Sequence, residues 1–330
     1  MGIYIYLYIR LLKWWNVSSE KISELIKDIY SNFRKGDFRA ALMKSEEAHS
    51  LDFDNVEILT ALKSSVYWNG QVESLDRIGQ DYEKAEFLVR EWNNFARRYL
   101  KKMSFDFIQG RNAIKYFVFQ LCLGIYKNIY KLQPENLDIL IKIAKSYKGM
   151  GDYERAIGVF LQVLGDVKEN SDVIAELADS YALIDEIKEA KVLFREAFFI
   201  NPQRIDVEAL ESEMILKLIE AIRGDRNISD TLIKEWIPVY GALNGVFNIK
   251  RELRPIELGH LKQSVYSLRN ELKEKSYRSI NESILLPRLI NKYFWLIDHY
   301  VRIKEDRVRI DEILSYIKEV DIGIYQQYVN

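Results

Sequence analysis

The sequence contains little cysteine, proline and glycine. A single cysteine, Cys122, excludes an internal disulfide, so the fold does not need an oxidising compartment. Only five prolines and fifteen glycines interrupt 330 residues, which favours long helices over many short strands. The net charge of −1 provides no global attraction for nucleic acid or for an anionic membrane. We therefore expect a folded, helical chain that binds no nucleic acid.

The sequence also lacks the short motifs that mark common enzyme classes. It has no glycine-rich phosphate loop, no HExxH zinc motif, no paired CxxC and no GxSxG elbow. The histidines His49, His260 and His299 lie far apart, and Cys122 lies in an apolar run that is typical of a buried packing thiol. We predict that the chain is not an enzyme, and that it has no catalytic residue, no metal site and no cofactor.

A period of 34 residues is present in the middle of the chain. Equivalent residues recur between the stretches Leu137–Leu164 and Ser171–Pro202. The matched pairs are Ala144 with Ala178, Tyr147 with Tyr181, Ala156 with Ala190, and Phe160 with Phe194. In each copy the apolar residues follow helical spacing in two stretches with a turn between them. Each copy is therefore predicted to be a pair of helices, whose alanines permit close contact, and Pro202 ends the second pair.

This pattern resembles the tetratricopeptide repeat (TPR). Small residues at position eight, tyrosine at eleven, alanine at twenty and an aromatic residue at twenty-four match in both copies, 137–170 and 171–204. The second copy departs at its turn, where IDEI replaces MGDY, and the first has Lys168 where its terminal proline would fall. The resemblance implies an all-α fold, namely an α-solenoid of antiparallel helix pairs that receives a partner in its concave groove.

Four regions are predicted from these patterns. They are an apolar N-terminal segment (1–17), degenerate TPR-like helical hairpins (18–103), the TPR array with a capping helix (104–224) and a C-terminal helical bundle or cap (225–330). In the second region, Gly36 and Gly70 are expected at equivalent turns. Ala85, Leu88, Trp92, Phe95 and Tyr99 form an apolar stripe that predicts either a long helix or an inserted helix. We expect a helix over Ile205–Ile222, and a capping box at Ser279–Glu282 ahead of the helix in the stretch SILLPRLINKYFWLIDHYVRI.

Charged residues on the first helices of the two best repeats are the candidate partner-binding residues. Lys142, Lys145 and Lys148 form a basic row, and Asp172, Glu176 and Asp179 form an acidic row on the matching face. The TPR resemblance implies that these faces line the groove. Residues 137–224 carry a net charge of −6, which favours a basic helix or segment as the partner. The alternative is that the two rows pair with each other or with water.

The first fifteen residues carry only two charged side chains, Arg10 and Lys13. The apolar run is too short to span a membrane, and it lacks the charge order and cleavage site of a secretory signal. Alternation of apolar residues with tyrosines suggests a strand, yet no partner strand is predicted, so a helix is the other interpretation. Such a helix either caps the solenoid or contacts a membrane surface or a partner. The contact residues would be Tyr4, Tyr6, Tyr8, Arg10, Lys13, Trp14 and Trp15.

These observations predict a non-enzymatic scaffold that assembles or stabilises a multiprotein complex through a TPR groove. The whole chain, rich in isoleucine, lysine and tyrosine with a helical tail, resembles the TPR proteins of spirochaete flagellar motor collars. The alternative is a membrane-associated envelope assembly factor held by its N-terminal segment. Cytoplasm, membrane surface and periplasm all remain open as locations, and the oligomeric state is unknown.

Overall fold

The computed structural model describes residues 2–98, 107–226, 228–247, 252–273, 278–305 and 307–330. For residues 2–18, 230 and 278–281 it describes the backbone alone. The regular structure in these described ranges is helical, which confirms the all-α prediction. The chain divides into two compact units, an N-terminal unit (Met1–Val159) and a C-terminal unit (Phe160–Asn330).

The described residues of the N-terminal unit form six helices and the first part of a seventh. They are α1 (Gly2–Lys35), α2 (Phe38–Leu51), α3 (Val56–Leu75), α4 (Asp81–Arg98), α5 (Ile108–Leu132), α6 (Leu137–Met150) and α7 (Tyr153–Asp166), within which the unit boundary falls. Helices that follow one another pack together, as α1 does with α2, α2 with α3, α4 with α5 and α5 with α6. Helix α1 also packs against α5, which closes the unit around a shared core.

The C-terminal unit contains eight further helices in its described residues. They are α8 (Ser171–Leu183), α9 (Ile187–Ile200), α10 (Glu213–Asp225), α11 (Asp230–Leu243), α12 (Pro255–Lys273), α13 (Arg278–Arg302), α14 (Arg307–Val320) and α15 (Ile322–Val329). Two short 3-10 turns, Pro202–Arg204 and Val207–Ala209, connect α9 to α10. Helix α13 is central, since it packs against α11, α12 and α14.

The two best repeats begin their helices at the predicted spacing. Helix α8 begins 34 residues after α6, and α9 begins 34 residues after α7. Asn136 and Asn170 precede α6 and α8, and the side-chain oxygen of each accepts a hydrogen bond from the backbone N–H three residues later. The four alanines predicted at the helix–helix contacts are fully buried, as are Phe160 and Phe194. The prediction of two helices separated by a turn in each copy is therefore confirmed, and in the second copy α8 packs against α9.

The turns of these two pairs use different residues for the same backbone conformation. Gly151 ends α6 with a positive φ of 83°. In the second pair Asp185 lies at the turn with φ 66°, a region that side chains other than glycine rarely occupy. The second copy therefore has aspartate where the first has glycine, but both turns keep a left-handed backbone conformation.

Aromatic side chains form the core of the N-terminal unit. Phe38 is 2% exposed, and its ring lies within 6.0 Å, between centroids, of the rings of Phe33, Trp68 and Phe117. At the turn between α1 and α2, Gly36 has a positive φ of 78°, and a Cβ placed there would lie 2.1 Å from the ring of Phe117. Glycine is thus required both by the backbone and by the close approach of α5.

Three local predictions were wrong. Gly70 does not form a turn, because α3 continues through it to Leu75. The helix expected over Ile205–Ile222 begins only at Glu213, since the preceding residues form 3-10 turns and loop. Ser279 does not precede α13, which already begins at Arg278. By contrast, the stripe of α4 is buried at Ala85, Leu88, Trp92 and Phe95, while Tyr99 lies outside the described residues.

The N-terminal segment is helical, not a strand. Its backbone forms the first half of α1, which runs without interruption from Gly2 to Lys35. The predicted contact side chains, from Tyr4 to Trp15, lie outside the part of the chain whose side chains are described. In the described residues, none of the helices combines the length and apolarity that crossing a membrane requires.

Candidate partner-binding surfaces

Lys142, the first residue of the predicted basic row, is held by three side chains of the N-terminal unit. Its Nζ donates a hydrogen bond to Glu86 Oε1 at 2.7 Å, and it lies 5.7 Å from the ring centroids of both Tyr82 and Tyr126. Tyr126 donates its hydroxyl to the same carboxylate oxygen at 2.7 Å. Burial raises the pKa of Tyr126, and the bond to Glu86 raises it further. The ammonium is therefore fixed by a carboxylate and two rings.

The other two lysines of the row differ in access to solvent. Lys145 is half-buried, whereas Lys148 is only 3% exposed. All three lie on α6, whose buried side includes Ile143, Ala144 and Tyr147. The amphipathic pattern of α6 therefore determines where the three lysines lie. Because their side chains differ in exposure, they do not contribute equally to a positively charged surface.

The acidic row on α8 binds backbone groups of the C-terminal unit. Asp172 Oδ1 accepts a hydrogen bond from the Asp206 N–H at 3.1 Å. Asp179 is fully buried, and its two oxygens accept from the N–H groups of Glu211 and Ser212 at 2.8 and 2.9 Å. The Asp179 carboxylate thus binds backbone N–H groups just before α10, where such groups have no hydrogen-bond partner within the helix. Asp172 and Asp179 thus hold the loop segment 206–212 against α8 by hydrogen bonds.

Glu176, the middle residue of the acidic row, is 2% exposed, and Asp172 is half-buried. Of the three carboxylates, Asp172 is therefore the one with most access to solvent. The basic row lies in the N-terminal unit and the acidic row in the C-terminal unit. The prediction that these rows contact a partner stays a prediction, and Asp172 is the residue of the acidic row best placed to test it.

Sequence reasoning missed a polar network between α9, α11 and α13. Arg195 of α9 and Asp298 of α13 form an ion pair whose side chains are 8% and 14% exposed, and the guanidinium lies 4.4 Å from the ring centroid of Trp295. Glu235 of α11 is fully buried and accepts hydrogen bonds from Arg288 Nε and Nη2 at 2.9 and 2.5 Å. These pairs join helices that are distant in sequence, so no local pattern could reveal them.

A third cation of this network has a different environment. Lys292, one helical turn after Arg288 on α13, lies 5.0 Å from the ring centroid of Phe199. Burial lowers the pKa of Lys292, and the charge of Arg288 lowers it further. No carboxylate in the described part of the chain forms an ion pair with Lys292. The signal available in the sequence was two basic residues four positions apart within the apolar stretch of α13.

Cys122, His260 and His299 have packing or surface environments. Cys122 is fully buried, donates weakly to the Ala85 carbonyl at 3.6 Å, and burial raises its pKa to about 12. His299 is 4% exposed, and its Nδ1 accepts from the Leu253 N–H at 3.1 Å, whereas His260 is exposed. In the ranges that the structure describes, no three histidine, cysteine or carboxylate side chains converge on a position for a metal.

No protein-family model matches this sequence, and a comparison with curated proteins finds no match either.

Proposed function

We propose that this protein is a non-enzymatic scaffold with a TPR-like α-solenoid, which assembles or stabilises a multiprotein complex. The observation that carries the proposal is the 34-residue spacing of α6 with α8 and of α7 with α9, together with the repeated asparagine caps and buried alanines. Repeated helix pairs of this kind are used mainly to present extended surfaces to protein partners. Flagellar collar assembly is the setting that the sequence resemblance suggests.

The proposed contact is a basic segment that approaches the exposed part of the acidic face on α8. Asp172 is half-buried, which makes it the most accessible carboxylate of the acidic row, and the Asp206 N–H donates to its Oδ1 at 3.1 Å. Attraction between the acidic repeats and such a segment acts over about 8 Å at physiological ionic strength. The affinity should therefore fall as salt is raised.

Capture of partners by the full-length chain from lysate of its own cells tests the scaffold. Wild type should capture a defined set of proteins, and deletion of the gene should dissociate a complex that contains them. Asp172→Asn keeps an acceptor for the Asp206 N–H and removes one charge, so capture should weaken. Glu189→Gln, at an exposed position of α9, is the matched control and should capture normally.

Two results would contradict the proposal. Absence of any captured protein, with every complex intact in the deletion strain, would remove the scaffold function. Equal capture by wild type and Asp172→Asn, over a range of salt concentrations, would remove the acidic face of α8 as the contact and leave the scaffold to another surface.

A further inference from the structure

Helix α1 is longer than the two helices that mainly pack along it, α2 and α5. Lys21 of α1 pairs with Glu47 of α2 at 3.1 Å, one turn before the end of α2, so α2 reaches about one turn beyond Lys21 towards the start of α1. Helix α5 runs parallel to α1 and begins further along it, since the ring centroids of Phe107, next to its first residue, and Tyr30 are 5.9 Å apart. The leading segment of α1 (residues 2–16) therefore extends beyond both helices, by about 22 Å.

The apolar stripe of α1 continues into the leading segment. In the second half of the helix this stripe forms part of the core, and Ile29 and Phe33 are fully buried there. Helical spacing extends the same stripe towards the start of α1 through Ile26, Ile22, Trp15, Leu11, Tyr8 and Tyr4. The register places Arg10 and Lys13, three residues apart, on the opposite face. The stripe therefore outruns the two helices that cover it further along.

The leading segment carries charge of one sign and an apolar surface that is wider than the stripe. Its charged residues are Arg10 and Lys13, and the first acidic residue of α1 is Glu20. Ile5 and Ile9 lie outside the stripe by register, so a single partner helix, which covers one stripe, would leave them in water. A second copy of the segment would bring like charges together. Its charge instead complements an anionic surface.

We propose that the leading segment of α1 binds the surface of an anionic lipid bilayer and lies in its headgroup region. Tyrosine and tryptophan, which make up five of the first fifteen residues, favour this region because each ring has an apolar body and a polar group. Arg10 and Lys13 supply the attraction to anionic headgroups. The segment is shorter than the roughly 20 apolar residues that span a bilayer. Because α1 continues without interruption to Lys35, binding holds the N-terminal unit at the membrane, a role beyond the scaffold function and independent of it.

Quenching of tryptophan fluorescence by lipids with brominated acyl chains tests this inference on the full chain. Of the six tryptophans, four are at most 8% exposed, namely Trp68, Trp92, Trp236 and Trp295. A quencher inside the bilayer therefore reports on Trp14 and Trp15. Vesicles of brominated phosphatidylcholine mixed with phosphatidylglycerol should quench the emission saturably at low salt. Vesicles of brominated phosphatidylcholine alone should bind much more weakly, and added salt should weaken binding to the anionic vesicles.

Two variants that remove the same charge separate the leading segment from the rest of the unit. Arg10→Gln/Lys13→Gln should bind the anionic vesicles about thirtyfold more weakly at low salt, because two cations near the surface are lost. Lys35→Gln/Arg39→Gln removes two exposed cations near the other end of α1 and should bind as wild type does. Both variants should melt at the temperature of wild type, since neither changes a residue of the buried stripe.

Other outcomes would overturn the inference. Unquenched emission with anionic vesicles at low salt would remove membrane binding, and equal binding to phosphatidylcholine alone would remove the anionic surface as the partner. A lower melting temperature for Arg10→Gln/Lys13→Gln would place the leading segment in the packing of the protein. A dimer that Trp14→Gln/Trp15→Gln dissociates, with no vesicle binding by wild type, would assign the segment to a second copy. If vesicles were bound but no protein partner was captured, only the scaffold proposal would be lost.

Discussion

The two units of this protein differ in the interactions that are most prominent between their helices. In the N-terminal unit, aromatic rings fill the core around Phe38 and Trp68, and the ion pairs Lys21–Glu47, Lys44–Asp28 and Lys142–Glu86 lie at the surface or are half-buried. In the C-terminal unit, buried or half-buried arginine–carboxylate pairs join helices up to 103 residues apart, as Arg195 and Asp298 do. Aromatic packing around Phe38 is the prominent feature of the first unit and buried arginine–carboxylate pairing that of the second, so mutations of these features should differ in effect.

Apolar contacts and buried ion pairs differ in how strictly they depend on geometry. Apolar contacts tolerate many rotations of a helix, whereas a buried ion pair is favourable in only a narrow range of geometries. Helix α13 packs against three other helices, and its pairs with α9 and α11 constrain its rotation and register. Arg226 acts similarly on α15, since it donates to Asp321, the residue that caps that helix, at 2.9 Å.

Loss of the Phe38 ring from the aromatic core should cause the largest decrease in stability. Phe38→Ala removes the side chain that contacts Phe33, Trp68 and Phe117, and we expect it to lower the free energy of unfolding by about 4 kcal/mol. Urea denaturation measures the change. Phe53→Ala, at a ring that is 69% exposed, is the control and should change stability by less than about 0.5 kcal/mol. Equal effects would show that the aromatic cluster does not stabilise the unit.

Loss of one partner of the buried ion pair should be the next largest effect. Asp298→Asn removes the negative charge that faces the buried Arg195 guanidinium, and we expect a loss of about 3 kcal/mol in the free energy of unfolding. The exposed carboxylate of Asp311, which pairs with Arg307, provides the control Asp311→Asn, for which a change under about 1 kcal/mol is expected. In the double variant with Arg195→Met, the loss should be smaller than the sum of the single losses, as measured by a double-mutant cycle. Simple additivity would argue against the pair.

The buried thiol should make the stability of the N-terminal unit depend on alkaline pH. Burial raises the pKa of Cys122 from 9.0 to about 12, so the folded state retains a proton that the unfolded state releases. The stabilisation is complete below pH 9 and is lost as the pH rises from 9 towards 12, by up to about 1.4 kcal/mol per pH unit. Denaturation of wild type and Cys122→Ala between pH 8 and 10.5 should show a steeper decline for wild type. Parallel declines would refute the assignment.

The two repeat turns should respond oppositely to exchange of their residues. Gly151→Ala places a side chain at φ 83° and should destabilise by about 1 kcal/mol, although no atom lies within 4 Å of the added Cβ. Gly158→Ala, inside α7 with the same free space, is the control and should stabilise by about 0.5 to 1 kcal/mol. Both are measured by thermal unfolding, and the same sign for both would contradict the backbone argument.

The smallest effect is expected at the second turn. Asp185→Gly relieves a positive φ of 66° and should stabilise by about 0.5 kcal/mol. This variant makes the second turn resemble the first. A loss of stability would mean that the Asp185 side chain contributes more than its backbone conformation costs.

Sequence patterns predicted the helix pairs where each residue acts locally. The 34-residue spacing, the buried alanines and the stripe of α4 follow from periodicity, which depends on neighbours three and four positions away. The patterns failed at Gly70, because packing of α3 overrides the helix-breaking tendency of a single glycine. They failed again before Glu213, where backbone N–H groups of the loop segment donate hydrogen bonds to the carboxylates of Asp172 and Asp179 and hold the segment in place of a helix.

The sequence by itself determined that the chain is helical, where the best helix pairs begin and which faces they bury, because helix formation and amphipathicity are local properties. Only the tertiary structure decided what the charged residues do. In the folded chain Asp179 accepts hydrogen bonds from backbone N–H groups, Lys142 pairs with Glu86, and Arg288 pairs with Glu235. Lys292 forms no ion pair with a carboxylate of the described residues. The physical reason is that the energy of a charge depends on its burial and on partners that are close in space but distant in sequence.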